Sequence, residues 1–375
     1  MIYLDYSATT PMSSYALETY NQVATDFFAN SRSLHRNGLE SDDVLSLSRR
    51  TITDLLHVKQ NEVYFTGSGS EASFLALTGL AFANQHKGRT IITTAGEHHS
   101  IHQAMSYLKE HDFQILHVPV NEFGQVSTDA LRSVLSNDVI LVSIAHANSE
   151  IGTVQDLESL GALLQENGIL FHSDCVQTFG KIKVPTHVLT SASFSAHKCY
   201  GPKGVGAAYI NSDAHWKPFF PGTTHEFGFR AGTVDVPAIA AFAAAADDYF
   251  TLSESDMKRL QNYRQLVLES FQGNDRIFFE GHPTNRLPFH ISMRVKGIEG
   301  QLVMLECNRK GFAISTGSAC RVGDSHPSHT MMSIGRSVEE AHELVRITFG
   351  RFTTEDEVYK LIDNLKQVLI EIKGV

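Results

Sequence analysis

The chain has 375 residues, 42% apolar and 19% charged, a size and composition suited to two domains sharing a large buried core. Lys and Arg number 31 against 41 Asp and Glu, a formal charge of −10, which argues against nucleic acid as the main partner because neutralising phosphates takes a basic face. No apolar run is long enough to span a membrane, and no basic segment followed by an apolar stretch opens the chain, so a cytoplasmic protein is expected.

Met1-Ile2-Tyr3-Leu4-Asp5 reads as a strand. From about residue 60, β-rich runs alternate with amphipathic ones: strands are expected at 62–66, 90–94, 113–118, 139–145 and 169–173, with helices at 71–85, 101–111, 128–135 and 157–167. Such alternation implies right-handed crossovers and a mostly parallel sheet covered on both faces, an α/β fold. Further strands are expected at 189–195, 204–210 and 216–220. After Pro237, an alanine-rich helix (238–249) and a charged amphipathic helix (253–271) read as a bridge. Strands at 289–295, 313–315 and 345–349 and helices at 299–310 and 354–372 then suggest a smaller α+β unit.

Several segments carry chemistry. Thr66-Gly67-Ser68-Gly69-Ser70-Glu71 joins a strand to a helix through small residues, which suits an anion at a helix N-terminus and equally a Ser-capped turn. Ser193-Phe194-Ser195-Ala196-His197-Lys198-Cys199-Tyr200-Gly201-Pro202-Lys203-Gly204 ends a strand in a turn-rich stretch, where a lysine can be held at the sheet edge for Schiff-base chemistry. Asp174, in His172-Ser173-Asp174-Cys175-Val176-Gln177, ends another strand, and a carboxylate there needs a partner: a protonated ring nitrogen or a helix N-terminus. His98 follows a strand in Glu97-His98-His99-Ser100; alone it is one of 19 histidines, and beside Lys198 and Asp174 it is a candidate to stack on a ring and shuttle protons.

The four cysteines (Cys175, Cys199, Cys307 and Cys320) form no C-x-x-C pair and no zinc-ligand spacing, so no metal site is expected. Three sit in apolar or motif contexts and read as structural. Cys320, in Ser315-Thr316-Gly317-Ser318-Ala319-Cys320-Arg321, lies in a polar stretch beside a cation that favours its thiolate, the setting of a nucleophile or of an incidental loop thiol. Arg346 alternates into an apolar strand and needs an anion, either a substrate carboxylate or an internal partner.

Together these segments resemble the class V aminotransferase family and, within it, the NifS/IscS-type cysteine desulfurases. The resemblance runs from Leu4-Asp5-Tyr6-Ser7-Ala8-Thr9-Thr10-Pro11 through His197-Lys198-x-Tyr200-Gly201-Pro202-Lys203-Gly204 and Gly317-Ser318-Ala319-Cys320 to Gly350-Arg351-Phe352-Thr353-Thr354. It implies a fold-type I enzyme using pyridoxal 5'-phosphate, with a large cofactor-binding domain over 14–250 and a small domain made of 1–13 plus 251–375. It assigns Lys198 to the Schiff base, Asp174 to the pyridine nitrogen, Gln177 to the ring hydroxyl and His98 to the ring face. Gly69, Ser70, Ser195 and His197 would hold the phosphate, with Thr233 reaching it from a second subunit of a homodimer. Asn30 and Arg346 would bind the substrate carboxylate.

The implied activity converts L-cysteine to L-alanine, with sulfur held on Cys320 as a persulfide for an acceptor protein such as an iron–sulfur scaffold, an apoprotein or a thiolation enzyme. A selenocysteine lyase or small-amino-acid aminotransferase of the same fold is the first alternative, and a weakly active sulfur-relay partner the second. Ser149 stands where a ring-contacting asparagine is usual in Asn148-Ser149-Glu150. Ser70, Phe74, Phe227 and Ser31-Arg32-Ser33 also depart from the family pattern.

Overall fold

The computed structural model describes residues 1–317 and 327–372. A short N-terminal strand, β1 (Ile2–Tyr3), precedes two helices, Ser14–Asp26 and Arg36–Leu56. Seven strands then build the large sheet: β2 (Val63–Thr66), β3 (Thr90–Thr93), β4 (Gln114–His117), β5 (Val139–Ser143), β6 (Leu170–Asp174), β7 (Ser191–Ser195) and β8 (Gly206–Ile210). Their order is β2-β8-β7-β6-β5-β3-β4, and β8 alone runs antiparallel to its neighbours.

The alternation of side chains explains why this sheet is covered on both faces. Phe65, Val142 and Ala207 enter one core with Phe179, Phe194 and Phe242, while Tyr64, Leu141 and Ala208 enter another with Leu77, Leu80 and Ile101. Crossover helices Gly69–Asn84, His99–Glu110 and Leu157–Glu166 connect the strands, so the strand ends share one edge of the sheet.

The second sheet is antiparallel, in the order β12-β13-β10-β9, formed by β9 (Ile277–Phe279), β10 (His290–Val295), β12 (Ser315–Thr316) and β13 (Leu344–Thr348). Between them β11 (Phe312–Ala313) pairs in parallel with β1, which returns the N-terminus to this part of the molecule.

Three expectations change. The two helices expected at 238–249 and 253–271 are one helix, Val236–Ser270, capped by Asp235 with a proline in its first turn; its 35 residues span about 52 Å. The change in composition near residue 250 holds no Gly or Pro to break the backbone, so a change of texture there was not a change of element. The strand expected at 216–220 is irregular: Pro218 and Pro221 remove amide donors, and Trp216 and Phe219 pack as single side chains on Tyr64 and Phe74. The strand expected at 313–315 is divided between β11 and β12, which belong to different sheets.

One buried ion pair ties the early helices to the sheet. Glu226 and Phe227 both hold left-handed backbone conformations, φ 44° and 53°. The Glu226 carboxylate accepts from Arg49 at 2.8 Å on each oxygen and from the Phe65 amide at 2.7 Å, while Arg49 also donates to Val63 O. Arg49→Met strands this carboxylate in the interior and is expected to cost about 3–5 kcal/mol in urea unfolding, with much of the loss recovered in Arg49→Met/Glu226→Leu. Equal midpoints for wild type and Arg49→Met would show the pair to be dispensable.

Candidate active site

The ends of β2, β3, β5, β6 and β7 converge on a cavity of about 250 Å³. Gly69, Ser70, His98, Ser149, Asp174, Gln177, Ser195, His197 and Lys198 all line it. A second cavity of about 290 Å³ shares His98, Ser149, Gln177 and Lys198 with the first and ends at Arg346. The structure therefore brings ten of the residues singled out from the sequence around two cavities that share lining residues.

At one end, Ser68 caps the helix Gly69–Asn84 by accepting from the Glu71 amide at 3.1 Å. The backbone packs too closely here for side chains. A Cβ on Gly69 would meet Val176 Cγ2 at 2.8 Å, and one on Gly206 would meet Gly69 N at 2.7 Å. The result is a glycine-serine cradle at a helix N-terminus, with Ser195 and His197 beside it, which suits a dianionic phosphate. His197 is neutral: burial, then the charges of Lys198 and Lys203, lower its pKa to about 4, and its Nδ1 meets Thr9 Oγ1 at 3.1 Å.

Asp174 closes β6, its Oδ1 accepting from the Val176 amide at 2.9 Å. Burial pushes its pKa up, opposed by His98 and Lys198. A cationic ring nitrogen meeting this carboxylate would reverse that shift. Gln177 Nε2 donates to Ser7 O at 3.0 Å, while its Oε1 is buried without a hydrogen-bond partner among the described residues. The Lys198 amine donates to the carbonyls of Ser7 and, at 2.8 Å, Ala8. His98 caps the helix His99–Glu110; its Nδ1 accepts from the Ser100 amide at 3.2 Å, so in the neutral ring Nε2 carries the proton. A carboxylate, an amine, an unpaired amide oxygen, an imidazole and an anion cradle around one cavity fit a pyridine ring bearing an aldehyde and a phosphate.

Arg346 is held by Ser149 O at 3.1 Å and by Asp5 Oδ1 at 2.8 Å. Two residues from the sequence reading lie elsewhere in the chain: Asn30 and Thr233 are both exposed and line neither cavity. Cys320 lies outside the described residues. Among the described residues no group of His, Cys, Asp and Glu could hold a metal ion.

The sequence reading missed the backbone of Ser7 and Ala8, whose acceptors only the fold reveals, and it missed Glu97. The buried Glu97 carboxyl accepts from Thr94 Oγ1 at 2.9 Å and the Ala145 amide at 3.0 Å, and its Oε2 has no hydrogen-bond partner among the described residues. Burial lifts its pKa to about 8. Its place at a strand end, next to a candidate histidine, was the available signal.

The other cysteines are structural. Burial pushes the Cys175 and Cys199 thiols up to about 12 and that of Cys307 to about 11.

The family model "Aminotransferase class-V" matches residues 2–361. The chain is 46% identical to "Putative cysteine desulfurase NifS" of Halalkalibacterium halodurans over 100% of this chain and 99% of the relative. It is 34% identical to "Cysteine desulfurase IscS" of Methanosarcina thermophila over 100% and 93%. A solved "NIFS-like protein" superposes with a TM-score of 0.92 at 29% identity, covering 100% of both chains.

Two outcomes test this geometry. In Cys320→Ala at pH 8, a disulfide reagent should leave Cys175, Cys199 and Cys307 unmodified until denaturant exposes all three; rapid labelling of the native variant would contradict their burial. Glu97 is protonated in the folded chain up to about pH 8 and ionises near 4.5 when unfolded, so its contribution to stability is present below pH 4.5 and lost as pH rises towards 8. Glu97→Gln in cofactor-stripped protein should therefore match wild type near pH 4.5 and outlast it increasingly up to pH 8, by at most about 1.4 kcal/mol per pH unit. Parallel pH–stability curves would place Glu97 in an ionised state.

Proposed function

The chain belongs to the class V aminotransferase family, and from that premise we propose that it is a pyridoxal-phosphate-dependent cysteine desulfurase that stores sulfur on Cys320. The observation that carries the reading is the second cavity. Lys198 and Arg346 both line it, and so do Gly317 and Ser328, on either side of the segment bearing Cys320. Three peptide units separate Gly317 from Cys320, a reach of at most about 11 Å.

The family is pyridoxal-phosphate-dependent, and in this chain Gly69, Ser70, Ser195 and His197 would hold the phosphate. Lys198, Asp174, Gln177 and His98 would surround the ring. When bound, the cofactor supplies an electron sink for charge left on the substrate α-carbon. Arg346 binds the carboxylate of L-cysteine at the far end of the cavity and so orients the amino acid. The Lys198 amine, aimed by the carbonyls of Ser7 and Ala8, takes the α-proton. The Cys320 thiolate attacks the substrate sulfur, so that an S–S bond forms as the carbon–sulfur bond breaks; His98 Nε2–H is the proton donor beside the leaving fragment, which departs as L-alanine.

The protein acts as a cytoplasmic homodimer in this reading. Thr233, exposed in one chain, reaches the phosphate of the other, and exposed apolar residues such as Phe28, Leu34 and Phe227 supply surface for that contact. Asn30, exposed in the single chain, is with Arg346 the other proposed ligand of the substrate carboxylate. The large domain spans 14–250, with 1–13 and 251–375 forming the small one. An acceptor protein, an iron–sulfur scaffold or a thiolation enzyme, then takes the persulfide sulfur.

The test is release of alanine and sulfide from L-cysteine with a thiol reductant, comparing wild type with Cys320→Ala at equal cofactor content. Wild type should release both products, and the variant should fall to background. Equal rates would remove Cys320 from the reaction and favour a lyase, whereas amino-group transfer to a keto acid would favour an aminotransferase.

A further inference from the structure

The anion that Arg346 meets in this structure is one the chain itself supplies. Arg346 points inward from β13 and is only 4% exposed. A guanidinium does not shed its proton in proteins, so a buried one needs a permanent counter-charge. Asp5 provides it at 2.8 Å on Nη2, while Ser149 O takes Nη1. Three N–H groups remain: a second one on each Nη, and that on Nε, which is buried and has no hydrogen-bond partner among the described residues. Arg346 lines the second cavity and Asp5 does not, so the aspartate grips the guanidinium from outside the space a substrate would enter.

Asp5 is itself firmly set. Its carbonyl accepts from Tyr3 Oη at 3.0 Å and from the Ala8 amide at 2.9 Å, and its backbone bridges to Thr348, two residues beyond Arg346 on β13. The carboxylate and the guanidinium are therefore carried by paired segments, and their relative position does not depend on long side chains alone.

We propose that Asp5 is a positioning residue for carboxylate recognition: it neutralises Arg346 and holds its fork so that the donors left over face an α-amino acid in the cavity. The proposal rests on the amino-acid substrate assigned above. It separates two tasks that a lone arginine would combine, staying buried and binding a ligand. Asp5 serves the first without occupying the cavity, which leaves the second to the donors it does not use.

The experiment titrates pyridoxal-phosphate-loaded protein with L-alanine, following the cofactor absorbance, and measures L-cysteine turnover in parallel. Asp5→Ala should weaken L-alanine binding and raise KM for L-cysteine by about tenfold, with kcat within about twofold. Asp5→Asn, which keeps an acceptor oxygen for Nη2, should lose only about threefold and guards against a misfolded alanine variant. Unchanged binding in both variants overturns the proposal. Tighter binding in Asp5→Ala also overturns it, because Asp5 would then be a competitor of the substrate. A fall in kcat with unchanged binding does so as well. If wild type binds L-alanine in an Asp5-dependent way yet releases no sulfide from L-cysteine, the desulfurase reading fails and the role of Asp5 stands.

Discussion

The site depends on where the N-terminal backbone runs. A lysine amine at a sheet edge needs acceptors, and the N-terminal segment gives Lys198 the carbonyls of Ser7 and Ala8. The same segment ties Thr10 N to His197 O at 2.9 Å and receives the Tyr200 amide on Thr10 Oγ1 at 2.8 Å. Towards the other sheet, Thr348 N donates to Leu4 O at 2.8 Å and Ser7 N to Thr348 Oγ1 at 2.9 Å. Residues 4–10 thus join the strand ends of the large sheet to β13, and they reach that position because β1 pairs with β11 and Leu4 is fully buried. Removing this strap would take carbonyl acceptors from Lys198 and Gln177 and the carboxylate from Arg346.

Burial organises the charges around that strap. Desolvation holds His172 near 3 and His146 near 4, so both imidazoles behind the strands stay neutral, and it lowers the buried Lys181 amine to about 7. Glu97 is pushed the other way and keeps its proton. His172, His146 and Glu97 are thereby uncharged at neutral pH and Lys181 only about half charged, while Asp174 and Lys198 line the ligand space. A ring that must carry a positive nitrogen next to Asp174 and an anionic phosphate at the other end is best served by such a background, because stray charges in a low-dielectric site act over longer distances.

What was legible in the sequence follows from which signals are local. Strand–helix alternation revealed the large sheet, since apolar runs such as Val139–Ser143 are short, β-branched and flanked by amphipathic stretches. Turn-rich strand ends picked out Asp174 and Lys198, because chemistry at a sheet edge leaves polar residues where burial would exclude them. Non-local features were not legible. The antiparallel pairing of β8 with β2, the acceptors offered by Ser7 and Ala8, and the Asp5–Arg346 pair all join residues more than a hundred positions apart. The helices Ser14–Asp26 and Arg36–Leu56 went unremarked because much of their surface is polar: Arg49 and Ser48 are buried in the second, so its inward face does not read as apolar.

The departures from the family pattern can be sorted by which atoms do the work. At Ser149 the side chain differs, yet the carbonyl accepts from both Arg346 Nη1 and His290 Nε2 at 3.0–3.1 Å, and any residue supplies a carbonyl. Phe74 sits one turn into the helix that begins at Gly69, but its ring packs with Tyr107 and Phe219 at 5.2 Å and does not line the cavity. Phe227 extends to solvent, with Arg49 beneath its ring at 5.1 Å, while the strained backbone it shares with Glu226 is held by the carboxylate below. In each case the geometry at the position is held by the backbone or a neighbour, so the side chain is free to vary without moving Lys198, Asp174 or Arg346. Asp5 is the opposite case: its role resides in its carboxylate, at a fixed distance from a buried guanidinium.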